Sequence, residues 1–170
     1  LRRNVNLNIL LFNNQIYGLT KGQYSPTSEP GKVTKSTPVG SIDEPFNPIS
    51  LALGAEASFV ARTHDMDRKH MQAMFARAHA HKGTSLVEIY QNCNVFNDGA
   101  FAQITKRDKR DAMLINLVHG EPIRFGVDNE RGVAMDSSGR IELVDVADVG
   151  VENLLVHDET ADDPSVAFAI

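Results

Sequence analysis

The sequence predicts an α/β fold built on a parallel sheet. Three apolar runs of strand length, Val5–Phe12, Ala57–Arg62 and Thr84–Tyr90, alternate with helical segments along the chain. Such alternation is typical of parallel sheets, because a crossover helix is needed to bring the chain back to the same end of the sheet. The run Leu10–Phe12 is continuously apolar, as expected for a strand buried in a parallel sheet.

Two helices are predicted between these strands. Asn47 is suited to cap a short helix over Pro48–Leu53, since proline is favoured at the first helical position. The clearer helix covers Asp67–His81, with Asp67 as its cap and Gly83 as the left-handed residue that ends it. One apolar face with i, i+3, i+4, i+7 spacing is formed by Met71, Met74, Phe75 and Ala78.

The rest of the chain is less periodic. Asn13–Asn47 carries four glycines and four prolines, and loops of this length in compact domains are usually functional or disordered. After Phe96 the pattern changes to charged and turn-rich sequence, with a hairpin predicted over Arg131–Val146. We therefore divide the chain into a sheet domain over residues 1–95 and a smaller appended segment over residues 96–170.

Composition excludes several classes of protein. The 170 residues carry a net charge of −5, which argues against a nucleic-acid binder. Cys93 is the single cysteine, so no internal disulfide is possible, and a reduced cytoplasmic compartment is expected. No apolar run approaches the roughly 20 residues that a membrane span needs. A strand begins within a few residues of Leu1, and Asp163-Pro164 predicts a helix just before Ile170, so we expect a piece of a longer polypeptide.

Polar residues follow the first predicted strand directly. Asn13 and Asn14 lie at the carboxyl end of that strand, where open α/β sheets bind ligands. The Asn14 amide oxygen and a backbone carbonyl two residues later are hard oxygen donors of the kind that Mg²⁺ prefers. The alternative is that both asparagines only stabilise a turn, as asparagine often does.

Four strings in the same order carry a resemblance to a known family. They are LLFNNQIYGLTKGQYSPTS, GKVTKSTPVGSIDEPFNPISLALGAEASFVART, CNVFNDGAF and HGEPIRFG. Together they resemble the thiamine-diphosphate-binding β subunit of 2-oxoacid:ferredoxin oxidoreductases, most closely the 2-oxoglutarate type. The resemblance implies the C-terminal part of a thiamine-diphosphate-binding parallel-sheet domain, followed by the C-terminal extension of the β subunit.

The resemblance also implies site residues. Thiamine-diphosphate enzymes hold Mg²⁺ with an aspartate from a GDG motif, which this sequence lacks, and with a later asparagine, which corresponds to Asn14. Ile16 is implied to give its backbone carbonyl to the same ion. The residues implied to contact the cofactor are Asn13, Asn14, Ile16, Gly18 and Leu19.

Three further side chains receive roles from the resemblance. Leu19 and Lys21 are implied to face the substrate, with Lys21 suited to a carboxylate of a dicarboxylic oxoacid; the alternative for Lys21 is a solvated loop lysine. Cys93 is implied to be one ligand of a [4Fe–4S] cluster, which normally takes four thiolates. A buried core cysteine or a reactive thiol remains the alternative for Cys93.

The implied activity is oxidative decarboxylation of a 2-oxoacid to acyl-coenzyme A, with electrons passing through the cluster to ferredoxin. No residue of this chain is expected to act as a general acid or base, because the activating glutamate is implied to lie on the partner α subunit. The chain alone is therefore expected to be inactive. Two other classes remain open: a thiamine-diphosphate decarboxylase or synthase without iron–sulfur chemistry, and a non-catalytic α/β interaction module.

Overall fold

The computed structural model describes all 170 residues and divides them into two compact units, Leu1–Phe101 and Ala102–Ile170. None of its helices combines the length and the apolar character that spanning a membrane requires. The first unit consists of β1 (Leu7–Asn13), α1 (Pro48–Gly54), β2 (Phe59–His64), α2 (Arg68–Ala80) and β3 (Thr84–Tyr90). The second consists of α3 (Ala102–Thr105), α4 (Arg110–Met113), β4 (Arg124–Phe125), β5 (Arg131–Met135), β6 (Ile141–Asp145), α5 (Val146–Val149), a 3₁₀ turn (Val151–Asn153) and α6 (Ser165–Ala169).

The first unit contains the parallel sheet that the sequence predicts. Its strand order is β1-β3-β2, and both pairings are parallel. Asn13 and His64 both align with Tyr90, so all three strands end at the same edge. Strand β2 begins two residues later than predicted, because the Ala57 N–H donates to the Ala52 carbonyl (3.0 Å) and closes the end of α1.

The apolar face of α2 packs against the sheet as its spacing predicts. Val87 and Ile89 of β3 are fully buried and form a core with Ala78. The partly buried residues packed around them are Phe59, Ala61, Met71, Met74 and Phe75. Since side chains alternate along a strand, Leu86 and Glu88 point to the opposite face from Val87 and Ile89. All of β3 except Tyr90 is buried, as expected for a central strand.

The start of α2 is as predicted, but its end is not. Asp67 caps the helix by accepting a hydrogen bond from the His70 N–H (3.0 Å). The helix ends at an extended His81 rather than at a left-handed glycine. Gly83 has φ +141 and leaves space for Asn4, whose Oδ1 would lie 2.3 Å from a Cβ at position 83. The glycine is therefore needed for the close approach of Asn4, whose Oδ1 also accepts from the Thr84 N–H (2.8 Å).

Strand β1 is less buried than its continuous apolar run predicts. It pairs only with β3 and so forms an edge of the sheet. Leu7 is 52% exposed, Leu10 44% and Phe12 57%. The expectation of a buried strand is therefore wrong for β1, because it lies at the edge of the three-stranded sheet of the first unit.

The second unit is a small antiparallel sheet with its own core. Its order is β4-β5-β6, and β5 and β6 form the predicted hairpin, which turns at Asp136–Arg140. The buried residues Ile123, Phe125 and Val133 form the centre of the core. Leu155 continues the hydrogen bonding, since its N–H donates to the Val133 carbonyl and its carbonyl accepts from the Ile123 N–H (both 2.8 Å).

The core of the first unit gives a stability prediction. Replacing Ile89 by alanine should lower the free energy of unfolding by about 2–5 kcal/mol, because the fully buried side chain would leave a cavity under α2. Val39, which is 91% exposed, supplies the control: Val39→Ala should change stability by less than about 0.5 kcal/mol. Urea unfolding followed by circular dichroism measures both, and equal effects would contradict the assigned core.

Candidate functional site

The carboxyl edge of the parallel sheet carries two polar segments. The first is the turn Asn13–Gly18, here called the 13–18 turn, which begins at the last residue of β1. The second is Gln91–Asn97, here called the 91–97 segment, which follows β3. The Gln91 N–H donates to the Asn13 carbonyl (3.0 Å), so the two segments leave the sheet side by side. This edge is where parallel α/β sheets bind ligands.

Asn13 fixes the start of the 13–18 turn. Its side chain is 8% exposed, and its Nδ2 donates to Glu88 Oε1 (2.8 Å). Its Oδ1 accepts from the Gln15 N–H (3.1 Å) and from Thr27 Oγ1 (2.7 Å). Both polar atoms are therefore bonded within the chain, and Asn13 anchors the turn to the sheet and to the long loop.

Glu88 is the partner of Asn13 that the sequence reasoning missed. It is fully buried in the central strand, and its Oε2 accepts from Arg62 Nε (2.8 Å). A buried carboxylate is retained only where a cation and hydrogen-bond donors compensate the lost hydration. The available signal was a carboxylate within the apolar strand Thr84–Tyr90, since glutamate is almost never fully buried unless it is paired.

Tyr90 ends β3 beside this ion pair. Its ring stacks on Phe101, with centroids 4.4 Å apart and planes at 11°, and the Arg62 guanidinium lies 4.9 Å from the Tyr90 centroid. Burial raises the pKa of the Tyr90 phenol; Arg62 opposes this shift and Glu88 adds to it. The phenol is therefore protonated and neutral near pH 7.

Asn14 and Ile16 form the tip of the turn. Asn14 Oδ1 accepts from the Ile16 N–H (3.2 Å), so Asn14 does stabilise the turn, as the alternative interpretation holds. An amide oxygen has two lone pairs, so this bond leaves one for a second partner. Gln15 between them adopts φ +54, and Ile16 is 4% exposed. The Asn14 amide oxygen and the Ile16 carbonyl are the oxygen donor types that fit Mg²⁺.

The neighbouring carbonyls of the turn are already bonded. Asn97 Nδ2 donates to the Asn14 carbonyl (3.0 Å) and, more weakly, to the Gln15 carbonyl (3.4 Å). Ser28 Oγ also donates to the Gln15 carbonyl (2.6 Å). Asn97 itself is 7% exposed, and its Oδ1 accepts from Lys32 Nζ. Sequence reasoning did not single out Asn97, Ser28 or Lys32.

Leu19 and Lys21 lie together at the tip of a second small turn. The Tyr17 N–H donates to the Gln23 carbonyl (2.8 Å), and the Gly22 N–H donates to the Tyr17 carbonyl (3.0 Å). Leu19 at the tip is 100% exposed, and Lys21 is also exposed, with φ +67. Neither side chain is needed for the core of this chain.

An open cavity of about 580 Å³ lies beside Lys21. Its lining residues are Lys21, Gly22, Val33, Thr34, Lys35, Val95 and Phe96. Two ammonium groups beside valine and phenylalanine side chains suit a ligand that has both a negative charge and an apolar part. The cavity therefore joins the long loop and the 91–97 segment around the predicted substrate lysine.

Cys93 lies half-buried in the 91–97 segment. Its carbonyl accepts from the Asn97 N–H (2.9 Å). No group of three or more His, Cys, Asp or Glu side chains in the chain could hold a metal ion. One thiolate fits one corner of an iron–sulfur cluster, so this chain alone does not offer the normal four ligands.

Asn92, near the start of the 91–97 segment, is held by a different set of hydrogen bonds. Asn92 N–H donates to Asp65 Oδ2 (2.9 Å), and Asn92 Nδ2 donates to Asp98 Oδ1 (2.8 Å). Asn92 Oδ1 accepts from the Gly99 N–H (2.9 Å). Asn92 and Asn97 thus stabilise the same part of the chain, but only Asn97 bonds to the 13–18 turn.

Relatives of known sequence and structure extend this picture. The chain is 55% identical over all 170 residues to the 2-oxoglutarate oxidoreductase subunit KorB of Mycobacterium tuberculosis, and it spans 45% of that protein. It is 44% identical to the 2-oxoacid:ferredoxin oxidoreductase subunit beta of Saccharolobus solfataricus, over 57% of this chain and 32% of the relative.

A solved structure shares the fold. It is the 2-oxoglutarate:ferredoxin oxidoreductase from Magnetococcus marinus with 2-oxoglutarate, coenzyme A and succinyl-CoA bound. The match has a TM-score of 0.56 and 40% identity, and it covers 57% of this chain and 33% of that one.

A family model matches the part of the chain that contains the parallel sheet. The match covers residues 1–89, which include β1, β2, α1, α2 and nearly all of β3. Its description is that of the thiamine pyrophosphate enzyme, C-terminal TPP binding domain. The 13–18 turn lies inside the matched region. The chain belongs to this family of thiamine pyrophosphate enzymes.

Proposed function

We propose that this chain is part of the β subunit of a 2-oxoacid:ferredoxin oxidoreductase that acts on 2-oxoglutarate. The observation that carries the proposal is the 55% identity to the M. tuberculosis relative over all 170 residues, which includes both compact units. In this proposal residues 1–95 are the C-terminal half of the thiamine-diphosphate-binding domain. Residues 96–170 are the C-terminal extension of the subunit, and the complex is cytoplasmic.

The 13–18 turn supplies the metal and cofactor contacts in this proposal. Asn14 Oδ1 and the Ile16 carbonyl bind Mg²⁺, and Gly18 and Leu19 lie against the cofactor. Asn13 contributes by anchoring the turn to Glu88, since both of its polar atoms are bonded within the chain. When bound, thiamine diphosphate supplies the electron sink for decarboxylation. This chain's task is to orient the diphosphate end and to offset its charge through the metal.

The proposal also places the iron–sulfur cluster and the 2-oxoacid at the carboxyl edge of the sheet. Cys93 would give one thiolate to a [4Fe–4S] cluster, and the cluster would supply electron transfer to ferredoxin. Leu19 and Lys21 face the 2-oxoacid, and the partner α subunit supplies the acid–base group that this chain lacks. Coenzyme A accepts the acyl group. The proposal assigns no catalytic acid or base to these 170 residues.

The first experiment tests the metal turn. In the complete αβ complex, Asn14→Ala should weaken Mg²⁺-dependent thiamine-diphosphate binding by about 100-fold or more, since loss of an outer-shell partner alone typically costs 10–100-fold. Asn94→Ala, at an exposed position of the neighbouring segment, should leave the dissociation constant unchanged. Calorimetric titration with and without Mg²⁺ measures both. Equal affinity in wild type and Asn14→Ala would remove Asn14 from the metal site.

The second experiment tests the cluster. Wild-type complex purified without oxygen should show an electron paramagnetic resonance signal after reduction, and Cys93→Ala should lose or shift that signal because one of four thiolates is missing. Iron content is the accompanying control. An iron-free wild type would favour a thiamine-diphosphate enzyme without iron–sulfur chemistry, whereas an unchanged signal in Cys93→Ala would remove only Cys93 from the cluster.

The third experiment tests substrate choice. Lys21→Met should raise KM for 2-oxoglutarate by about 10-fold or more and leave KM for pyruvate nearly unchanged, because only the dicarboxylate loses a charge-assisted hydrogen bond. Leu19→Asn should shift the activity ratio between the two substrates. Lys82→Met, at an exposed position beyond α2, is the matched control. A parallel rise in both KM values would contradict the role of Lys21.

A further inference from the structure

Asn97 is a buried asparagine whose side chain forms hydrogen bonds outside its own segment. It lies in neither a helix nor a strand, yet it is 7% exposed. Both polar atoms of its side chain have partners within the first unit: Nδ2 donates to two carbonyls, and Oδ1 accepts from Lys32 Nζ. Its backbone N–H donates to the Cys93 carbonyl (2.9 Å). One residue thus bonds to three separate parts of the chain.

The Nδ2 contacts fix the backbone of the 13–18 turn between the two oxygens that the proposed function assigns to the metal. Asn97 occupies the Asn14 carbonyl and, together with Ser28, the Gln15 carbonyl. It also holds Gln15 in the left-handed region, at φ +54, which a non-glycine residue adopts only where its surroundings enforce it. In the proposed function the metal is bound by the Asn14 amide oxygen, which keeps one lone pair beside its bond from the Ile16 N–H, and by the Ile16 carbonyl, so Asn97 fixes the backbone that lies between these two oxygens.

Lys32 strengthens this arrangement from the other side of the amide. Its ammonium donates to Asn97 Oδ1, and a cation at the oxygen polarises the amide so that its N–H groups become better donors. Lys32 belongs to the long loop, which also contributes Thr27 and Ser28 to the 13–18 turn. Three parts of the unit therefore meet at Asn97.

Phe96 provides an independent apolar contact between the same two regions. A Cβ placed on Gly22 would lie 2.9 Å from Phe96 Cδ1, and one on Gly18 would lie 3.9 Å from Cδ2. The ring therefore packs directly over the backbone that carries Leu19 and Lys21. The hydrogen bonds of Asn97 and the packing of Phe96 together hold the 91–97 segment against the 13–18 turn and the residues that follow it.

We propose that Asn97 is a positioning residue that joins the 13–18 turn to the 91–97 segment. Metal-dependent cofactor binding at the turn and the surroundings of Cys93 then depend on the same side-chain amide. The inference rests on the proposed function. It adds a residue for which neither the sequence pattern nor the resemblance supplied a role. Asn97 touches neither cofactor nor substrate in this proposal, and it acts through Asn14, Gln15 and Cys93.

The test compares four variants in the complete αβ complex, purified without oxygen. Asn97→Ala removes all side-chain contacts, and Asn97→Asp keeps an oxygen for Lys32 but replaces both N–H donors. Lys32→Met removes the cation and leaves the amide in place. Asn92→Ala is the matched control, since it loosens the same part of the chain without bonding to the 13–18 turn.

Two readouts are measured besides activity: the Mg²⁺-dependent dissociation constant of thiamine diphosphate, and the resonance spectrum of the reduced cluster. Both Asn97 variants should weaken cofactor binding by about 10–100-fold, as outer-shell changes at metal sites typically do, and should shift the spectrum. Lys32→Met should change both in the same direction but by less. Asn92→Ala should leave cofactor affinity within about 3-fold of wild type, since it leaves the outer shell intact.

The possible failures are distinguishable. A wild-type complex that binds no thiamine diphosphate in the presence of Mg²⁺ would overturn the proposed function itself. A wild type that binds it, with Asn97→Asp and Lys32→Met unchanged in both readouts, would overturn the inference alone. Equal losses in Asn97→Ala and Asn92→Ala would assign both residues to folding of the segment, which also contradicts the inference. Because Asn97→Asp is nearly isosteric, it remains informative if Asn97→Ala does not fold.

Discussion

A fully buried carboxylate at the centre of the parallel sheet is the constraint on which the site depends. Glu88 accepts from Arg62 Nε on one side and from Asn13 Nδ2 on the other. Leaving a buried charge without a partner is strongly unfavourable, so these contacts fix both neighbouring strand ends. Asn13 then uses its oxygen to hold the Gln15 N–H and Thr27 Oγ1, which sets the turn and the course of the long loop. The position of Asn14 therefore depends on the buried Glu88 carboxylate through Asn13, its neighbour in the chain.

The fold was largely predictable because its signals are local. Apolar runs and the 3.6-residue period of α2 reflect neighbours within a few positions of one another, and these elements appear where predicted to within about two residues. The site was less predictable because its bonds join distant positions. Asn13 and Glu88 are 75 residues apart, and Asn97 and Asn14 are 83 apart. Periodicity carries no information at that separation, so Lys32 and Asn97 gave no pattern that points to their partners. Glu88 did give a signal, as a carboxylate within an apolar strand, but that signal does not identify Asn13 as its partner. The residues of the 13–18 turn were found from two adjacent asparagines and from a resemblance.

The fold error at β1 has a physical cause that bears on the site. The apolar character of Leu10–Phe12 predicts burial on both faces, yet β1 is an edge strand with Phe12 57% exposed. The apolar side chains of a strand show that it is suited to burial, but they do not show which residues cover it. Asn14 follows this exposed edge strand directly, so the oxygens that we propose as metal ligands lie beside it.

In the proposed function this chain offers only part of a metal site. Octahedral Mg²⁺ takes six oxygens, and it usually combines a few protein ligands with phosphate and water. Two oxygens come from the 13–18 turn in the proposed arrangement, and the Asn14 and Gln15 carbonyls of the same turn accept hydrogen bonds from Asn97 and Ser28. In that arrangement the remaining ligands of the ion come from outside the turn, from the diphosphate and from water. The same division applies to Cys93 in that proposal, since it would supply one thiolate where a cluster normally needs four. What the chain itself contributes is rigidity. Three features hold its few donor atoms in place for groups supplied from elsewhere: a buried ion pair below the 13–18 turn, an asparagine beside the turn, and a phenylalanine ring packed over the residues that follow it.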